Sequence, residues 1–499
     1  MEQEFKYVEV QEAKAKLLLN DGKPVTMIGT EAIRQSMDPT SFQQINNVAN
    51  APDVRKFVVN PDFHTGYGTI VGSVFATKDL IYPCAVGPDV NCSMSFVQLD
   101  IPSTELADKA LRRAIVEAVE KRIPTGMGSH TALQARSFHR EDLRSIATEG
   151  ANRAIAAIFG FPESWINNCE QATHGKSAEL GERLDWIARH YPILDKLTQI
   201  GGIGGGNHFM EFSDVRIKES MRDVAEVFGL KNGCVGILNH FGSRGFGYML
   251  TSGGRNNFPG QFNKLAEHFN KWRMSFPGGD KHNVYVPVDS QEGQDYLNDM
   301  YMGANFAVVN HLLVCQYVVE AFKEVMGDSL KANFVYHIAH NIIRYEIAEA
   351  DSKPCPMWVH RKGATRALPE GHHTLKNSPF FSTGHPVLLP GNSIEGSTIM
   401  VGLKGSADAL NSVNHGAGRK FSRTVAKRSF TQSAVDKHYN EADVITNCRN
   451  YPIDEYAKAY KDYSEVIQSV EKAGLAVTVA KLHPLINIKD NDQSKENSA

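Results

Sequence analysis

Four short stretches of this 499-residue chain carry metal-type ligands, three of them beside glycine. GPDVNCS holds Asp89 and Cys92, three residues apart, so both can reach one ion from a tight turn, and a thiolate can bridge two ions. GGIGGGNHFMEF holds Asn207, His208 and Glu211, LNHFGSRGFG holds His240 and Arg244, and YHIAHNIIRYE holds His337, His340 and Asn341. A single buried histidine usually satisfies a backbone carbonyl and nothing more. Here the Asp, Cys and His residues stand beside Gly, Ser, Asn or Arg instead of inside apolar periodicity. Carboxylate, thiolate and imidazole together suit a borderline ion such as Mn²⁺, Zn²⁺ or Fe²⁺, and are too rich in nitrogen and sulfur for a dedicated Mg²⁺ or Ca²⁺ site.

A second kind of chemistry surrounds these stretches. In GGIGGG, five glycines in six residues let backbone N–H groups approach an anion closely, with a bend before a strand as the competing reading. The run is not a Walker A loop, which ends in Lys-Ser/Thr, nor a dinucleotide fingerprint, which needs Gly at the position of Asn207. SVNHGAGRKFSR places His415 against Gly416 and Gly418, with Arg419 four residues on. In isolation this is a turn carrying a histidine. WVHRKGATRALPEGHH adds Arg361, Lys362 and Arg366. Small residues among these charges favour a phosphate-facing loop over a solvated turn, and with Arg244 and Arg419 they would form a local positive groove.

The elements that must position these groups follow from composition and pattern. A hydrophobic fraction of 42% and a charged fraction of 22% are those of a globular protein with a real core. With 53 basic against 56 acidic residues the formal net charge is −3, so a polyanion must bind through a local patch. The N-terminal residues lack the apolar core and small-residue cleavage site of a signal peptide. Seven cysteines without a CxxC pair argue for a reduced, cytoplasmic compartment. KFVVN, GTIVGSVFAT, SMSFVQLDI, WVHRKG, PVLLPG and STIMVGL read as strands. Residues 104–122, 140–158, 178–199, 303–327 and 454–474 read as helices, the fourth buried in the core because Asn310, His311 and Gln316 interrupt its apolar run. No linker divides the chain and no βαβ rhythm appears. The expectation is α+β: one large domain, 1–489, of mixed β-sheets flanked by helices, with a polar, disordered tail at 490–499.

In order along the chain, NNVANAPDVRKFVVNPDFHTGYGTIVGSV, GPDVNCS, GGGNHFMEF, HFGSRG, AHN, HRKGATRA, PVLLPG, HGAGR and AYKDYSEVI…LHPLINIK resemble the RtcB-type RNA ligases. GGGNHF, HRKGATRA and HGAGR are the most specific of these. The resemblance implies an RtcB-like fold and two Mn²⁺ ions held by Asp89, Cys92, His208, His240 and His340, with the cysteine bridging. It implies that His415 takes GMP from GTP, and that the guanylate contacts Asn207, Phe209, Glu211, Asn341, Pro390, Gly391, Ser393, Ser397, Gly416, Gly418 and Lys489. His337 has no role in the pattern. The implied activity joins an RNA 3′-phosphate or 2′,3′-cyclic phosphate to a 5′-hydroxyl, through an RNA-(3′)pp(5′)G intermediate, in RNA repair or tRNA splicing. An archease-type activator, used by some members, is an implied partner. The chain departs from the family pattern at Ser93, at Phe241 and in the 392–397 loop. An attacking imidazole needs its other nitrogen held by an acceptor, and Asp62 in NPDFHTG is the expected one, with Arg419 as a phosphate partner. The competing function is a metal-dependent RNA-end phosphodiesterase that uses water instead of His415.

Overall fold

One 36-residue helix, Gln291–Met326, frames the molecule and is about 54 Å long at 1.5 Å per residue. Ser290 caps its start by accepting from the Gly293 N–H at 3.1 Å, and it stops at Gly327, where φ is +101°. It begins at Gln291, earlier than the expected 303, because the polar first turns still bury Tyr296, Leu297 and Met300. By length and composition this helix could cross a membrane, but 94% of its most apolar window is buried inside the protein. Helices Lys109–Glu120, Arg140–Glu149, Ser177–His190 and Arg244–Ser252 pack around it. In this computed structural model the described residues are 5–21, 23–126, 137–252, 274–275, 284–349 and 353–490. The tail expected at 490–499 therefore lies, beyond its first residue, outside the described residues.

Two large sheets carry the rest. The first runs in the order Ala332–Ala339, Ser93–Pro102, Cys234–Phe241, Phe209–Ile217, Ala476–Ile488, Gly396–Gly402, Pro386–Asn392, with Ile445–Thr446 also pairing the Ala476–Ile488 strand. The second runs Lys6–Gln11, Lys14–Leu18, Pro24–Ile28, Lys56–His64, Val71–Thr77, Pro354–Lys362, Asn341–Glu349. Among the described strands only Pro24–Ile28 with Lys56–His64, and Ile445–Thr446 with Ala476–Ile488, pair in parallel. The arrangement is the expected one, mixed sheets flanked by helices, as a chain without βαβ units must build.

The other sequence-read helices are shorter in the structure. Residues 140–158 divide into Arg140–Glu149 and Arg153–Phe159 at Gly150, whose φ is +66°. Of 454–474 only Tyr463–Lys472 is α-helical, because Asp462 caps at that point by accepting from the Glu465 N–H at 3.1 Å.

Strand register places the metal-type ligands at one end of the first sheet. Ser93 is paired with both Ala339 and Phe241, and His240 with both Met94 and Phe209. Cys92 precedes the first of these strands, His208 precedes Phe209, and His340 follows Ala339. Four neighbouring strands thus start or stop together around one point. In the second sheet, the pairing of Lys56–His64 with Val71–Thr77 slips between Val59 and His64. That irregularity contains Asp62 and aims it out of the ladder.

Candidate active site

Five side chains meet at the strand ends. Cys92 Sγ lies 3.3 Å from His240 Nε2 and 3.6 Å from His208 Nε2, while His208 Nε2 is 2.8 Å from Asp89 Oδ2 and His240 Nε2 is 3.3 Å from His340 Nε2. These contacts form two triads that share the thiol: Asp89, Cys92, His208 and Cys92, His240, His340. Within each, one donor atom per residue lies within 4.8 Å of the others. The chemistry of the contacts calls for cations. His208 donates its Nδ1–H to the Ile203 carbonyl at 2.9 Å, so a neutral ring turns the Nε2 lone pair toward the Asp89 oxygen. Burial holds His240 and His340 well below the usual imidazole range, so two neutral rings face each other nitrogen to nitrogen. One neutral ring can donate its Nε2–H to the other, and a cation would take that proton's place with both nitrogens as ligands. The residues present therefore fit two borderline ions with a bridging thiolate. Burial raises the Cys92 thiol well above its ordinary value, as does the carboxylate of Asp89; a bound cation would reverse this.

His415 adjoins this cluster, its ring centroid 4.8 Å from that of His340. Its Nδ1 is 2.6 Å from Asp62 Oδ2 and 2.9 Å from the Gly363 carbonyl oxygen, and its backbone N–H donates to the same Asp62 oxygen at 3.2 Å. Two acceptors on Nδ1 place the ring proton there and leave the Nε2 lone pair free. Gly418 has φ +74°, and a Cβ on it would stand 2.2 Å from the Asp62 carbonyl oxygen. This glycine is therefore required by the close approach of its own backbone to Asp62 and not only by space for a ligand.

His415 opens into a cavity of about 270 Å³. Its wall includes Asn207, Phe209, Glu211, Pro390, Gly391, Ser393, Gly416, Gly418, Arg419 and Lys489, all foreseen from sequence. His64, Asn392, Arg423, Glu455, Tyr460 and Asn487 also line it, and the sequence reading missed them as site residues. Arg423 could have been found by its four-residue spacing from Arg419, and Tyr460 by its place in AYKDY. Glu455 had no such signal. It is the hub of the wall, accepting from Lys489 Nζ at 3.1 Å and Arg419 Nη1 at 3.1 Å and lying 2.7 Å from Arg423 Nη2. Burial pushes the Glu455 carboxyl up, but Lys489, Arg423 and Arg419 together hold it at about 2. Arg423 also pairs with Asp454 at 2.8 Å, so three cations face two carboxylates and the wall keeps positive charge in excess. Glu211 is the opposite case: burial pushes it up to about 7, although Ser213 donates to it at 3.0 Å.

Two expected contact residues lie off this wall. Ser397 is paired with Pro390 behind it, and Asn341 bridges two parts of the site. The Asn341 amide donates to the Asp89 carbonyl at 3.2 Å and accepts from the Gly363 N–H at 2.9 Å, which ties the metal turn to the residue that holds His415.

The basic loop expected to face RNA does not do so. Arg361 is fully buried, with Nη1 and Nη2 donating to Glu346 at 2.5 and 3.1 Å and Nε donating to Ser412 at 2.9 Å. Arg366 pairs with Glu346 at 3.1 Å and with Glu170 at 3.5 Å. The Lys362 ammonium donates inward to the carbonyls of Tyr67 and Cys84. Carboxylates commit Arg361 and Arg366 inside the protein, and backbone carbonyls commit Lys362. Arg244 is also buried, yet it sits beside the metal cluster, where Gly204 leaves room for it: a Cβ there would be 1.9 Å from Arg244 Nη1. Of the departures from the expected pattern, Phe241 is stacked on His311 with centroids 3.8 Å apart, and Ser93 donates to the Asn91 carbonyl at 2.8 Å; both serve packing behind the site.

Fold and site together define a mixed α/β protein in which a histidine with a free lone pair opens into a basic cavity beside a paired metal-ligand cluster. The sequence model of the RtcB family, described as "tRNA-splicing ligase RtcB", matches residues 44–490, and the chain belongs to that family. It is 31% identical over 465 residues to the tRNA-splicing ligase RtcB of Thermococcus kodakarensis, covering 91% of this chain and 92% of that one. It is 30% identical over 510 residues to RNA-splicing ligase RtcB homolog 1 of Entamoeba dispar, covering 98% and 90%. With the RNA-splicing ligase RtcB of Mycobacterium bovis it shares 31% identity over 457 residues, 89% of this chain and all of the other.

Proposed function

We propose that this RNA ligase uses GTP and Mn²⁺ to join an RNA 3′-phosphate or 2′,3′-cyclic phosphate to a 5′-hydroxyl through a guanylylated His415. Ligation itself follows from the family. The observation that carries the finer reading is the environment of His415, with Nδ1 closed by Asp62 and Gly363 and Nε2 open to the basic cavity.

Asp89, Cys92 and His208 would hold one ion, and Cys92, His240 and His340 the other; bound there, Mn²⁺ neutralises the phosphates that gather at His415. His415 Nε2 attacks the α-phosphorus of GTP. The N–P bond forms as the bond to pyrophosphate breaks. Asp62 and the Gly363 carbonyl keep the Nδ1 proton and stabilise the ring as it becomes positive. Lys489, Arg419 and Arg423 line the pocket where phosphate charge would gather, and Glu211 faces the base. An oxygen of the RNA 3′-phosphate then attacks the guanylyl phosphorus and frees His415. Attack of the RNA 5′-hydroxyl on the resulting RNA-(3′)pp(5′)G forms the new phosphodiester and releases GMP. A cyclic phosphate must first be hydrolysed to the 3′-phosphate. All seven cysteines are free, and a reducing, cytoplasmic compartment would keep Cys92 competent.

Incubation with α-labelled GTP and Mn²⁺ tests this. The expected result is acid-labile, alkali-stable label on the protein, absent from His415→Ala. Unlabelled protein that still hydrolyses RNA ends would establish the phosphodiesterase instead. Asp62→Asn should slow adduct formation strongly; an adduct at the wild-type rate removes Asp62 from its assigned role.

A further inference from the structure

With the HRKGATRA basic residues turned inward, the RNA beyond the reacting end needs another cationic surface. A second cavity, of about 220 Å³, lies on the far side of the short strand Ile445–Thr446. Lys109, Arg113, Asn440, Thr446, Arg449 and Tyr451 are among the residues that line it. Its one lining carboxylate, Asp443, is already engaged, at 2.6 Å from Lys109 Nζ and 2.7 Å from Nη2 of the fully buried Arg112. Arg113 and Arg449 are exposed and have no ion pair among the described residues. The carboxylates Glu120 and Asp490 lie toward Cys448, and Glu120 is held by the Asn447 amide at 2.9 Å. The Arg113 and Arg449 side is therefore where an anion is drawn.

The cavity is joined to the active site by one thin wall. Thr446 is paired with Asn487, which lines the His415 cavity, and Ile445 with Ile486. The next residue, Asn447, brackets the backbone of Lys489: its amide donates to the Lys489 carbonyl at 3.0 Å, and its side-chain oxygen accepts from the Lys489 N–H at 2.9 Å. A strand with its terminal phosphate at His415 can cross this wall and set an internal phosphate between Arg113 and Arg449.

We infer that this cavity is a second anion site of the chain, which binds an internal phosphodiester of the RNA substrate and so holds the strand beside the reacting end. The inference rests on the RNA-ligase reading, but its test measures binding and not ligation, so the two can fail separately. Fluorescence anisotropy with a labelled RNA of about 20 nucleotides, carrying a 3′-phosphate or a 5′-hydroxyl end, would compare wild type with Arg113→Ala/Arg449→Ala across a salt series. Loss of two phosphate contacts should weaken binding of at least one RNA roughly tenfold at about 0.1 M salt and lower the slope of log K against log salt by about 1.4. Both residues are exposed, so the melting temperature should be unchanged, and GTP adduct formation, which needs no RNA, should proceed at the wild-type rate. Arg113→Glu should weaken binding further than Arg113→Ala. Unchanged affinity and slope for both RNAs overturn the inference. So does a result in which inorganic phosphate or pyrophosphate binds wild type and not the double variant while RNA affinity stays the same, since the cavity would then serve a free anion. If wild type forms no adduct and ligates nothing, yet the variants lose RNA affinity as described, the catalytic reading fails and the anion site stands.

Discussion

Two clusters of basic residues in this protein look alike in sequence and do opposite work in the structure. HRKGATRA contributes Arg361 and Arg366, which join Arg344 against Glu346 and Glu170. HGAGRKFSR contributes Arg419 and Arg423, which join Lys489 against Glu455 and Asp454. The first set has three guanidinium groups against two carboxylates, and its ion pairs are sealed within the fold. The second also has three cations against two carboxylates, but all three cations line the wall of the His415 cavity. The difference lies in whether a cavity borders the cluster. A buried charge must be neutralised where it stands, whereas a surplus cation on a cavity wall is available to a ligand phosphate.

Removing a carboxylate from the sealed set should have the largest effect. Glu346→Ala leaves Arg361 buried with only Ser412 and the Leu410 carbonyl as partners. Breaking such a pair costs about 3–5 kcal/mol, so the chemical denaturation midpoint should fall sharply, with activity lost in proportion to folded protein. A fall of under about 1 kcal/mol would mean that the two clusters are energetically alike after all. Lys489→Ala should act in the opposite manner. Glu455 keeps Arg419 and Arg423, so stability should hardly change. Loss of one charge-assisted contact of about 1.5–3 kcal/mol should raise the GTP KM for adduct formation roughly 10- to 100-fold. A variant that melts early with an unchanged KM would move Lys489 into the structural class.

This contrast also marks what could be read in the sequence. The metal-type ligands were legible because each sits in a short stretch beside glycine or a polar residue, and strand register then brings the stretches together: Ser93 opposite Ala339 and Phe241, Phe209 opposite His240. Mixed sheets flanked by helices were legible for a similar reason, since the alternating strand runs are local. The helix ends at Gly150 and Asp462 were not, because an apolar periodicity continues past the residue whose backbone ends the helix. The fate of Arg361 and Arg366 was illegible too. Glu170 lies almost 200 residues from Arg366 and in no motif, and only the folded chain shows that it accounts for that charge. Glu455 is nearer to Lys489, 34 residues away, but it too lies in no motif, so the same blindness hid a partner in both clusters.

The smallest predicted effect concerns a carboxyl group that neither cluster neutralises. Glu211 lines the same cavity as Lys489, but burial pushes its carboxyl up to about 7, with Lys489 and the hydroxyl of Ser213 offsetting only part of that. The raised value means the ionised form dominates only above about pH 7. If the carboxylate accepts hydrogen bonds from the base of GTP, affinity should be highest above that value. It should fall severalfold as pH drops from 8 to 6, approaching tenfold per unit once the group is mostly protonated. Nucleotide affinity measured by calorimetry across this range, without RNA, isolates the effect. Glu211→Gln, which can offer an amide oxygen but cannot ionise, should bind more weakly at pH 8 and lose the slope. A slope that survives in Glu211→Gln would assign the titration to a group other than this carboxyl, and not to His64 on the same wall, which burial holds at about 4, below that range.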